Sequence, residues 1–201
     1  MKTICFTGHR PKVLCGYNRE AYKQFVIQLS DIIEKYIENE NYIRFITGGA
    51  QGFDQLAFWA VNNVRNCFVK SNNQTNIENI VYVPFPNQCK MWRKDGTFGQ
   101  KEYQLMLKHA TEVHYVNSDE LEGRKALTHL MLRNHAMVDI SDLVIALYED
   151  DNWDTSSGGT AECMRYAKQH NKPILQLYYV VINNELRITK TKLHENKQKE
   201  K

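Results

Sequence analysis

Residues 156 to 163, SSGGTAEC, set two glycines, three hydroxyls and a glutamate between the acidic run YEDDNWDT and the helical run MRYAKQHNK. Two uses fit those residue types. Gly158 and Gly159 can make a turn, a hydroxyl can cap the helix that follows, and Glu162 can face its positive end. Alternatively, the bare backbone of Gly158, Gly159 and Thr160 holds an anion, because the first N–H groups of a helix lack partners and glycine admits a ligand closely. A second polar cluster, TGHRP, follows an apolar run. There Arg10 is suited to clamping a phosphate and His9 to donating to one or stacking on a base, beside Gly8; the alternative is loop-edge packing on Tyr17. A third, TGGAQGFD, brings Gly48, Gly49 and Gly52 to a helix start. Its backbone suits either a close turn or a phosphate or ribose, with Asp54 accepting from a hydroxyl or capping the helix.

Further along, ALTHLMLRNHAMVDIS reads as a helix whose apolar stripe is Leu127, Leu130, Met131, Met137 and Val138, with Asn134 inside the stripe and Arg133 at its flank. A polar amide on a buried face needs partners or costs about 1–3 kcal/mol. Asn134 and Arg133 therefore either staple neighbouring loops or meet a ligand. In PFPNQCKMW, Gln88 and Trp92 offer an amide and an indole for recognising and stacking on a base, or for packing. The chain has no P-loop GK[ST] and no histidine pair at metal-ligand spacing, so neither P-loop hydrolysis nor a zinc site is expected, and no cofactor is called for.

These clusters need elements to position them. TICFT (3 to 7) and YIRFIT (42 to 47) are β-branched and aromatic runs that end at glycine, as buried strands do. Between them apolar residues recur at helical spacing over about 19 to 38. The alternation continues with a helix over 53 to 65, a strand at 79 to 83, a helix around 98 to 109 and a strand at 112 to 116. A helix around 125 to 140, a strand at 142 to 148, a helix over 159 to 169 and a strand at 173 to 180 complete it. This order predicts an α/β fold: a Rossmann-like three-layer sandwich with a mostly parallel sheet flanked by helices. KSNNQTNIEN (70 to 79) reads as a surface loop and INNEL as a closing hairpin turn. In a parallel sheet the clusters that follow strands all lie at the carboxyl edge, where open α/β sheets bind ligands. That convergence favours the anion reading of SSGGTAE.

The 201 residues suit one domain over 1–182, followed at 183–201 by a hairpin remnant and a charged, mobile tail. The formal net charge is +3, and many of the lysines lie in ITKTKLHENKQKEK. Without that tail the body is near neutral, which disfavours nucleic acid as a partner. Five cysteines form no CxxC pair, as expected of free thiols in a reducing cytoplasm. No window reaches the apolar length of a membrane span, and the start MKTICFTGHR turns polar too early for a signal peptide.

FTGHRP, TGGAQGFDQ, PFPNQCKMW, RNHAMVDISDLVIALY and GGTAECMRYA, in that order over about residues 3 to 178, resemble the SLOG superfamily. This Rossmann-like group spans the DNA-processing protein Smf/DprA and the Lonely Guy phosphoribohydrolases, and the likeness is to its YpsA-like branch of bacterial and phage proteins. The resemblance implies a nucleotide or nucleotide-derivative ligand, such as an ADP-ribose-like molecule, and self-association into a homo-oligomer. It also implies, by motif position, that Arg133 and Glu162 correspond to the catalytic arginine and glutamate of the N-glycosidases. GGTAE stands here in place of GGxGT followed by paired glutamates, and LRNHAM in place of Glu-Arg-Lys, which loosens the catalytic assignment and leaves the phosphate cradle intact. The leading expectation is a ligand-binding sensor. Cleavage of nucleoside 5'-monophosphates at the N-glycosidic bond is the second and DNA binding the third.

Overall fold

A computed structural model describes residues 1–38, 40–71 and 74–195. It contains seven strands: β1 (Lys2–Gly8), β2 (Tyr42–Thr47), β3 (Asn76–Val83), β4 (Glu112–Tyr115), β5 (Leu143–Leu147), β6 (Ile174–Ile182) and β7 (Glu185–His194). Between them run α1 (Lys23–Ile37), α2 (Phe53–Lys70), α3 (Gln100–His109), α4 (Gly123–Asp139) and α5 (Gly159–Gln169). The strands form one sheet in the order β4-β3-β2-β1-β5-β6-β7, in which only β7 is antiparallel to its neighbour.

The central strands are apolar without interruption because both faces are covered. Ile4 and Phe6 of β1 point to the layer that holds α1 and α2, while Cys5 points to the layer of α4 and α5. The same alternation runs through Leu143, Ile145 and Leu147 against Val144 and Ala146 in β5. Helix α3 closes the first layer beyond α2, packing Tyr103 and Met106 on Val81 and Val83. The expected mostly parallel, Rossmann-like sandwich is thus the observed architecture.

Four local expectations are corrected. The first helix opens as a 3-10 turn over Arg19–Tyr22, capped by Asn18, before α1 begins. The supposed loop over 70 to 79 is shortened from both sides, since α2 extends to Lys70 and β3 starts at Asn76, paired with Tyr42. The apolar stripe of α4 is buried only at Met137 and Val138, near its end; Leu127 and Met131 are 64% and 47% exposed. The fourth correction concerns the tail. Asn183 and Asn184 both take positive φ, as a two-residue hairpin turn requires, and the chain returns as the ten-residue strand β7. Leu186 is buried against the α1 layer, and Gln28 of α1 bonds both to the N–H and to the carbonyl of Ile188. The residues from 196 onward, the rest of the expected mobile tail, lie outside the described residues.

Candidate functional site

The chain leaves β1 for β2 on one side and later returns to place β5 on the other, so the order of strands reverses at the β1–β5 boundary. Loops leaving two such strands diverge and open a crevice at the carboxyl edge. A cavity of about 390 Å³ lies there. Thr7, Gly8, His9 and Arg10 enter it from the end of β1, Tyr148 and Glu149 from the end of β5, and Arg133 and Asn134 from α4. Ser157 through Ala161 close it with the first turn of α5.

No side chain caps the start of α5, although Thr160 and two serines stand nearby. Gly158 takes φ +113, a conformation L side chains rarely adopt, and both Gly158 and Gly159 have open space where a Cβ would lie. The first-turn N–H groups therefore meet the cavity across bare backbone. The loop before them is held in place by Arg165, whose Nη1 donates to the carbonyls of Trp153 and Ser156 at 2.8 and 2.7 Å. Asn134 Nδ2 reaches the Gly159 carbonyl at 3.5 Å, the limit of a hydrogen bond.

Arg133 is only 4% exposed. Its Nη1 donates to Asp54 Oδ2 at 3.4 Å, and its Nε, also buried, has no partner. The guanidinium occupies the space that a side chain on Gly48 would need: a Cβ there would lie 1.3 Å from Nη1. Burial pushes the Asp54 carboxyl pKa up, opposed by the charges of Arg133 and Arg10. Asp54 also accepts from the Ala50 N–H at 3.2 Å, which ties the β2–α2 loop to the same charge pair.

The opposite wall is aromatic and acidic. His9 Nε2 meets Glu149 Oε2 at 2.5 Å, and the imidazole lies 4.9 Å from the Tyr148 ring and 6.0 Å from that of Tyr179. Glu149, Tyr148 and Ser157 were not picked out from the sequence. The run YEDD directly after an apolar strand was the available signal for Glu149.

Asp54, in the first turn of α2, also lines the cavity, whereas several other sequence-derived candidates stand elsewhere. The start of α2 is occupied by the protein itself, since Phe53 N–H donates to the His9 carbonyl and a Cβ on Gly52 would lie only 2.5 Å from the same carbonyl oxygen. Gly52 (φ +92) and Gly49 (φ +65) serve the turn, the latter against Tyr103, Met106 and Val81. Gln88 Nε2 lies 3.5 Å from the Gly48 carbonyl, outside the lining, with its Oε1 buried and unpartnered. Trp92 packs edge-on to Tyr103 at 5.1 Å. Glu162 also stands outside the lining: its Oε1 pairs with His135 Nε2 at 2.6 Å, and that imidazole stacks on Tyr166 at 3.7 Å. Among the described residues no group of three or more His, Cys, Asp or Glu could hold a metal ion, and no helix is long and apolar enough to cross a membrane.

The family model described as the YspA SLOG family matches residues 4–181. The chain is 35% identical over 149 residues to an uncharacterized SPbeta prophage-derived protein, YoqJ, of Bacillus subtilis (strain 168), covering 71% of this chain and 79% of that one.

Proposed function

Because the chain belongs to the YspA SLOG family, we propose that it binds a nucleotide or an ADP-ribose-like derivative by its phosphate at the first turn of α5, and that it acts as a ligand sensor. Family membership supports a nucleotide-related role in general. One observation carries the phosphate reading: Arg133, whose buried Nε has no partner, lines the same cavity as the uncapped start of α5. A buried guanidinium N–H without an acceptor costs free energy, and an anion bridging it to backbone N–H groups removes that cost. Glycosidic cleavage ranks second because Glu162, its carboxylate by resemblance, is engaged by His135 away from the lining. Self-association and a cytoplasmic location belong to the same proposal, and the 23.6 kDa chain gives light scattering a clear monomer mass to depart from.

Thermal unfolding of the full chain with AMP, ADP, ADP-ribose and orthophosphate, with assay for free base, tests the reading. A ligand at about 100 times its Kd adds about 2.7 kcal/mol, a rise of roughly 5–10 °C for a domain of this size. Gly159→Asp is the matching variant, since the position has open space and a φ outside the left-handed region. It is expected to melt like the wild type and to lose the ligand-dependent rise, through repulsion of the phosphate. Equal rises in both proteins, or none with any phosphate, count against the cradle; release of base promotes the glycosidase.

A further inference from the structure

Glu149 presents a carboxylate to the cavity that is fixed through one oxygen and unengaged through the other. Oε2 receives His9 Nε2 at 2.5 Å and the Tyr179 hydroxyl at 3.5 Å, whereas Oε1 accepts no hydrogen bond from any described residue. The side chain is 42% exposed, and its partner His9, 15% exposed, is itself packed against the rings of Tyr148 and Tyr179. Three separate elements, the β1 loop, the end of β5 and β6, thus hold one acceptor at the rim of the cavity.

A carboxylate accepts and never donates, and it repels phosphate. With the anion seated at α5, the part of the ligand that meets Glu149 must carry donors and no negative charge. In a nucleotide the group next to the phosphate is the pentose, whose vicinal 2'- and 3'-hydroxyls are such donors, and about 390 Å³ accommodates phosphate and sugar together. A base amino group would ask the same of the carboxylate. It lies a sugar's length further from the cradle, however, and the ring at this wall, Tyr148, is buried beneath His9 rather than offered for stacking. Resting on the phosphate reading, we infer that Glu149, oriented by His9, reads the ribose hydroxyls and makes the site selective for ribonucleotides over their deoxy counterparts.

Isothermal titration of the full chain and of Glu149→Gln with AMP, 2',3'-dideoxy-AMP and orthophosphate tests this. A hydrogen bond to a charged group separates ligands that make it from those that cannot by roughly ten- to hundredfold in Kd. The wild type is expected to bind AMP that much more tightly than dideoxy-AMP. Glu149→Gln, whose melting temperature verifies its fold, is expected to bring the two nucleotides together by weakening AMP and leaving orthophosphate unaffected. The inference is overturned if the wild type binds both nucleotides equally, or if the variant binds AMP as tightly as the wild type does. Failure of all three probes to bind the wild type overturns the phosphate reading and this one with it, whereas binding of orthophosphate without discrimination between the nucleotides overturns this one alone.

Discussion

Arg133 and Gly48 are a matched pair, one side chain filling the volume that the other lacks. The guanidinium lies where a Cβ on Gly48 would have to be, and Asp54 supplies the counter-charge. Gly48→Ala must therefore displace the guanidinium from a buried site, with a destabilisation of about 1–3 kcal/mol as in other overpacked cores. Asp54→Ala leaves the cation buried and uncompensated, which costs about 3–5 kcal/mol. Urea unfolding reads both. The two losses combined in one protein should fall short of their sum, because each disturbs the same contact. A fall below about 0.5 kcal/mol for Asp54→Ala would mean that the Arg133 charge is satisfied in another way.

At the scale of elements, helix α5 and strand β7 have opposite standing. The start of α5 is left uncapped and bare, which is poor for stability and good for a ligand. Strand β7 is structural: it covers the edge of β6, buries Leu186 and gives Gln28 a backbone partner. Truncation after Ile182 removes all three. The truncated chain should lose at least about 2–5 kcal/mol, the range for emptying one buried leucine site, and its newly bare β6 edge should promote aggregation. Unchanged urea midpoints would show that β7 is an accessory ribbon and not part of the cooperative unit.

At the scale of the whole molecule, two cysteines far apart in sequence, Cys5 of β1 and Cys163 of α5, share one buried layer. Burial pushes the Cys5 thiol from the ordinary 9.0 up to about 12 and raises that of Cys163 as well. The folded state keeps these protons while the unfolded state releases them above pH 9. Stability is therefore whole below pH 9 and declines as pH rises towards the folded pKa values, by about 1.4 kcal/mol per pH unit for each thiol. The double variant Cys5→Ala, Cys163→Ala is expected to be less stable at neutral pH but to show a shallower decline between pH 9 and 10, measured by urea unfolding at each pH. An identical slope would place the alkaline loss on other groups.

Periodicity determined much of this protein on its own. Uninterrupted β-branched runs and helical stripes in alternation leave few options besides a parallel sheet covered on both faces, and the clusters that follow strands then share one edge by topology alone. Gly8, His9, Arg10, Gly158, Gly159 and Thr160 were legible for that reason, and the cavity gathers them. Other features turned on distances across the fold that no local pattern encodes. Arg133 became the buried charge because Gly48, in a different loop, leaves it room, while Asn134, the next residue, stayed half-buried at the cavity. Glu162 turned to His135 rather than to the cavity, and Glu149 came to the rim because β5 and β1 are neighbours that diverge there. The lysine-rich end looked like a solvated tail, since few of its residues are apolar. Its strand is secured by two asparagines in a tight turn and by a backbone contact from Gln28, one hundred and sixty residues away.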